Sequence, residues 1–331
     1  MAKRSSTVRF SDGRLTDRRR LLILVGLSAC LLSSSLGRPE VASAGSRHWE
    51  WSDDDHEAIA RLESRVAVRP SRGKPRLTVE SKHWRVSTEV DARFTAELAH
   101  YMDLFHERFT ALVKARVLVK LKPRVLVFKG PRAYAEIGGR GGGVFRARRD
   151  RDGRWSEFHL YTYVAHPRER HFPRFNQAML HHEGCHAILR RYLGHRPPPW
   201  FDEGLATVFQ AWKLRETVKE NRERIPQRSL AASLLKLRAA RAPLRPDLAT
   251  LLGLPSEAWS PSDPKSSLRY ARAESLVRLL LFDDRARSYL PRIFSRIRRQ
   301  VEPGAVLDKS EQAALQAVWH GSLDQLTRRR P

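Results

Sequence analysis

One five-residue stretch, His182-Glu183-Gly184-Cys185-His186, constrains this chain more than any other. In an α-helix, residues i and i+4 share a face, so both imidazoles can present a ring nitrogen to one ion. Glu183 lies about 100° further round the axis, where it can touch a water beside that ion instead of ligating it. Met179, Leu180, Ile188 and Leu189 flank the motif with apolar side chains. This pattern predicts a helix over about 174–192, stopped by Gly194 and by the three prolines 197–199.

A second segment follows, Pro199-Trp200-Phe201-Asp202-Glu203-Gly204-Leu205-Ala206, and predicts a helix starting near Phe201 and running past Leu214. A catalytic zinc takes three protein ligands and keeps one position open. Glu203, on the first turn of this helix, completes a set with His182 and His186, and Asp202 and His195 compete for the same place. Gly204 and Ala206 are small and would let the two helices approach closely. The longer H-E-x-x-H-x-x-G-x-x-H pattern is excluded, because Leu189 and Tyr192 occupy its glycine and third-histidine positions.

Before the metal motif, the chain alternates between strand and helix patterns. Trp84, Val86 and Thr88 read as a strand, and Asp91 to Leu112 carries Phe94, Leu98, Tyr101, Met102, Phe105 and Phe109 at helical spacing. Arg124–Phe128 is β-rich, and Pro131 opens a short helix through Ile137. Val144–Arg149 and Glu157–Val164 predict a strand pair turning at Asp152-Gly153. The glycines at 138–143 lack the Gly-Lys-Ser/Thr ending of a phosphate loop. Beyond 214, helices are expected over 229–241, 266–282, 286–300 and 309–327. The fold class expected is α+β: a small N-terminal mixed sheet with a helix over 82–172, then a mainly helical half over 173–331. Residues 45–81, polar and proline-bearing, read as a linker or cap.

His182-Glu183-x-x-His186 followed by Pro199-x-x-x-Glu203-Gly204-Leu205-Ala206 resembles the gluzincin, or peptidase MA, clan of zinc metallopeptidases. The similarity is greatest to bacterial exported peptidase-MA-like domains of unknown function, and it spans roughly 82–285. The resemblance implies a zincin-like helical half and hydrolysis of peptide bonds in a peptide or protein substrate. Zn2+ would lower the pKa of a water and polarise the scissile carbonyl, with Glu183 as general base. It also implies a tyrosine-bearing helix, matched by Ser267–Leu276, with Tyr270 as oxyanion donor and Arg269 and Arg272 as weaker candidates. In the clan, the strand before the metal helix pairs with extended substrate, a role that would fall to Glu157–Val164.

The first 44 residues read as an export signal: Arg18, Arg19 and Arg20, an apolar run Leu21–Leu32, then small residues. A mainly apolar run of twelve residues is too short to span a bilayer, which takes about 20. Ala42-Ser43-Ala44 suits a signal peptidase, whereas Leu27-Ser28-Ala29-Cys30 resembles a lipobox that would leave a lipid-anchored Cys30. Both readings imply a periplasmic, secreted or anchored protein. Cys185 would then be the one remaining thiol, a packing residue and not a ligand.

Charge enters last. Lys+Arg number 62 against 36 Asp+Glu, a net +26. The charge is mostly arginine and is dispersed along the chain, which argues against a nucleic-acid stripe but leaves an anionic envelope surface as a partner. The amphipathic stretch Ser288–Arg299 bears on the same question, read here as a core-facing helix with a solvated basic side. Two rival readings stay open: an inactive peptidase-like binding or structural module, and a basic protein that binds envelope polymer or nucleic acid.

Overall fold

Alternating apolar residues in the first half of the chain build a six-stranded mixed sheet, and period-3.6 patterns in the second half build a helical layer against it. The computed structural model describes residues 50–71, 74–113, 117–139, 141–165, 172, 175, 177–222, 247–260, 263, 265–300 and 306–328. The strands are β1 (Ala67–Ser71), β2 (Lys74–Glu80), β3 (Arg85–Thr88), β4 (Arg124–Phe128), β5 (Gly143–Arg149) and β6 (Trp155–Tyr163), in the order β1-β2-β3-β4-β6-β5. The helices are α1 (Asp53–Glu63), α2 (Ala92–Val113), α3 (Pro131–Ala135), α4 (Gln177–Leu193), α5 (Pro199–Gln210), α6 (Leu248–Leu252), α7 (Ser266–Phe282), α8 (Asp284–Arg287), α9 (Leu290–Arg298) and α10 (Lys309–Arg328). The fold is α+β, as the sequence implies. The segment 1–44, expected to be an export signal, and the helix expected over 229–241 lie outside the described residues.

The connections explain the sheet. β3 and β4 are parallel across the α2 crossover, β4 and β6 are parallel, and β5–β6 and β1–β2 are antiparallel pairs. Val79, Val86, Val125 and Val127 point to one side and pack with Phe94, Leu98, Tyr101, Met102, Phe105 and Phe109 of α2. Asp91 starts that helix, its carboxylate accepting the Phe94 N–H at 2.7 Å. On the other side, Leu126, Phe128, Val144 and Tyr161 form a small cluster under Tyr134 of α3. The β5–β6 hairpin turns at Gly153, whose φ of +76° is a left-handed conformation that glycine adopts readily.

The described residues of 45–81, expected to be a linker or cap, hold one helix and two strands. Ser52 and Asp55 form a capping box that starts α1. Asp55 then reaches His100 of α2 and Arg215, at 2.8 Å each, so the acidic patch tethers the helix to the body. β1 and β2 extend the sheet beyond β3 as an antiparallel pair whose register ends at Ser71 opposite Lys74.

The helical half is held by α4. Nearly every residue of this helix from Met179 to Leu193 is buried, between β5 and β6, α2 and α5. The basic helix α9 turns Leu290, Ile293, Phe294 and Ile297 into the core, Phe294 meeting Phe201 edge-on. Two of its arginines, Arg292 and Arg296, pair with Glu311 of α10. No helix among the described residues is long and apolar enough to cross a membrane.

One buried group makes stability depend on pH. His106 of α2 is 1% exposed and stacks on His83, ring centroids 3.9 Å apart. Burial above all, then the nearby charges of His83, Arg191 and Lys82, lowers its pKa from 6.5 to about 2. The unfolded chain therefore takes up a proton near pH 6.5 that the folded chain refuses, so this contribution is complete above that pH and is lost as pH falls. Denaturant unfolding at pH 7 and pH 5 should give a stability loss about 2 kcal/mol smaller for His106→Gln than for the wild type. An equal loss in both would contradict the burial assigned to His106.

Candidate metal centre

His182 and His186 stand one turn apart on α4, and Glu203 reaches them from α5. Pro199 at the first helical position starts α5, so Asp202 and Glu203 fall early in the helix, against the middle of α4. Glu203 Oε2 lies 3.6 Å from His182 Nε2 and 3.7 Å from His186 Nε2. Those separations are too long for hydrogen bonds. The oxygen is buried without a hydrogen-bond partner. Ligand atoms around a tetrahedral zinc, each at about 2.0–2.2 Å from it, stand roughly 3.3–3.6 Å apart, close to both Glu203–imidazole separations. Among the described residues, these three form the one group of histidine, cysteine and carboxylate side chains able to converge on an ion.

The outward nitrogens of the two rings are held from behind. His186 Nδ1 lies 2.7 Å from Asp202 Oδ1, and Asp202 also takes two hydrogen bonds from Arg190, at 3.0 and 2.8 Å. His182 Nδ1 lies 3.2 Å from Gln210 Oε1 at the far end of α5. With Nδ1 engaged in this way, each ring turns Nε2 toward Glu203, the orientation a ligating imidazole needs. Burial works against a charged His186, but the charges of Asp202 and Glu203 outweigh it and raise its pKa to about 9. Burial likewise opposes charge on Asp202, yet Arg190 and His186 drive its carboxyl far below the usual range. Glu203 is held low in the same way by His186 and His182.

Glu183 faces the sheet. Its Oε2 accepts the Phe145 N–H of β5 at 2.9 Å, and its Oε1 is buried with no hydrogen-bond partner. Tyr270 comes to the site on α7, where burial first, then the charge and hydrogen bond of Glu203 and the charge of Glu183, push its phenol well above the ordinary range. A Cβ on Gly204 would come within 2.7 Å of Val277 Cγ2 and 2.8 Å of the Ala273 carbonyl oxygen. Backbone contact between α5 and α7 is therefore possible only at glycine. Tyr270, Ala273 and Val277 share one face of α7, so the same contact carries Tyr270 toward Glu203.

Several expectations meet this geometry differently. Asp202, a rival third ligand, sits behind His186 as its support. His195, the other rival, turns Nδ1 to the Arg196 carbonyl and is outside the group. Arg269 bonds Asp263 and the Ala258 carbonyl. Gly204 relieves the approach of α7, whereas the α4–α5 pairing was the expected reason for it. The strand expected to pair with substrate is the wrong one: β6 is bonded on both sides, by β4 and β5, and β5 is the edge beside α4. His181 and Cys185 point away from the triangle, His181 bonding the Tyr101 hydroxyl at 2.7 Å and Cys185 packing as a buried free thiol. Arg190, Gln210 and the Phe145 N–H are not legible in the sequence; the one signal is the i, i+4 spacing of His186 and Arg190, which puts both within reach of one partner.

No protein-family model matches the chain, and no curated protein shows a significant sequence match to it.

Proposed function

We propose that this protein is an exported zinc-dependent peptidase of the gluzincin type. The observation that carries this reading is the buried triangle of His182, His186 and Glu203, with Glu183 beside it and its free carboxylate oxygen turned to no protein partner. A structural zinc site is closed by a fourth protein ligand, usually cysteine. Among the described residues the set stops at three, and the one thiol, Cys185, is buried on another face of α4.

Zinc in this donor set supplies Lewis acidity toward a carbonyl and acidifies a water. The remaining work belongs to the chain. Glu183 Oε1 accepts a proton from the attacking water and later returns it to the leaving amine, while the Phe145 N–H fixes the other oxygen. Tyr270, kept protonated first by burial and then by the neighbouring carboxylates, donates a hydrogen bond to the oxyanion. The free edge of β5 offers backbone groups to an extended peptide substrate. The run Arg18–Leu32 with its small-residue exit supports export, through either the Cys30 lipobox or the A-x-A site.

The test is cleavage of a mixed peptide library by the purified chain. We expect cleavage that stops on chelation and returns with about one equivalent of zinc. Zinc binding without cleavage would favour the inactive peptidase-like module. Cleavage indifferent to chelation would overturn the reading.

A further inference from the structure

The dispersed arginines of the sequence gather at one place that the metal centre does not use. Cross-strand neighbours share a sheet face, and the register puts Glu80 beside Arg85 and Arg85 beside Arg124, with Thr78, Ser87 and Leu126 as the next row. This is the face away from α2 and α4; the intervening Val79, Val86 and Val125 point into the core. On β1, Ala67 continues the Thr78 row and Arg69 stands one row further along, beside Arg76, while Arg65 precedes the strand. Together these residues, Arg76 aside, line a groove of about 560 Å³.

Its charge is one-sided. Four guanidinium groups, on Arg65, Arg69, Arg85 and Arg124, face a single carboxylate, Glu80. Arg85 Nε takes that carboxylate at 2.7 Å, and Arg65 donates to the Glu80 backbone carbonyl at 3.2 Å, which orients it without neutralising it. Among the described residues, neither Arg69 nor Arg124 has an acidic partner. The hydroxyls of Thr78 and Ser87 bond each other at 3.0 Å on the floor of the groove. Guanidinium forks match phosphoryl oxygens, and several within one concavity suit a ligand bearing several such groups. Among the described residues no aromatic side chain lines the groove to stack a nucleobase, and a concave site does not fit a flat bilayer.

We propose that this groove is a second binding site, for a soluble oligophosphate anion, gripped chiefly by Arg69 and Arg124. The site is independent of the peptidase reading and lies on the opposite face of the sheet from the metal helix.

The test is calorimetric titration of the full chain with inorganic tripolyphosphate. Expected is saturable 1:1 binding that weakens about tenfold or more in Arg69→Ala/Arg124→Ala. The charge-matched pair Arg298→Ala/Arg299→Ala on α9 should hold affinity within about twofold, because exposed charges elsewhere act only through screened long-range attraction. Arg69→Ala alone, on an edge strand and exposed, serves if the double variant does not fold, and should still weaken binding severalfold. Absence of saturable binding, an equal loss in the α9 pair, or binding to phosphatidylglycerol vesicles without binding to tripolyphosphate would overturn the proposal.

Discussion

Glu183→Gln is expected to keep the metal and lose roughly a hundredfold to ten-thousandfold of peptide hydrolysis, the range that a general base supplies. The substitution is nearly isosteric. An amide oxygen can still accept the Phe145 N–H, so the contact between β5 and α4 survives. What disappears is the second carboxylate oxygen, Oε1, the atom with no protein partner and the one able to take a proton. Glu183 is outside the group formed by His182, His186 and Glu203, so metal content should not change. Zinc analysis and initial rates on the same preparation separate the two effects. Hydrolysis within about twofold of wild type, with zinc retained, would remove Glu183 from the mechanism.

Asp202→Ala is expected to damage stability and metal affinity together. Asp202 and Arg190 are both nearly buried, and the aspartate takes both guanidinium bonds as well as the His186 contact. Removing it leaves Arg190 as a buried cation without its counter-charge, a change that costs about 3–5 kcal/mol. It also frees the His186 ring to rotate, and loss of such a support lowers metal affinity about 10–100-fold. Asp202→Ala/Arg190→Met separates the two roles. It removes the stranded charge, so unfolding free energy should largely recover, while zinc affinity stays low because the carboxylate behind His186 is gone. Denaturant unfolding and a competitive zinc titration read these quantities independently. Unaltered zinc affinity in both variants would contradict the positioning role of Asp202.

The parts legible in the sequence are those set by local periodicity. α2, α4, α7 and the β5–β6 hairpin fall close to their expected bounds, because each carries its own apolar repeat or turn signal. The three metal-binding candidates come together because a helix fixes two of them and a short connection brings the third. Strand order was not legible. A period-two pattern says which face is buried and not which strand is the edge, so β6 was mistaken for β5. The α1 segment was missed although Ser52 and Asp55 carry a capping box, since a run of three aspartates also reads as solvated charge. Arg190 and Gln210 escaped notice because their roles depend on how α4 and α5 lie together, which no spacing along the chain encodes.

Metal analysis of the purified chain beside His182→Ala and Glu203→Ala shows most directly whether His182, His186 and Glu203 together hold one zinc. About one zinc per wild-type chain and little in either folded variant is the expected result, since two remaining ligands cannot hold the ion tightly. Full zinc retained by both variants would contradict that assignment.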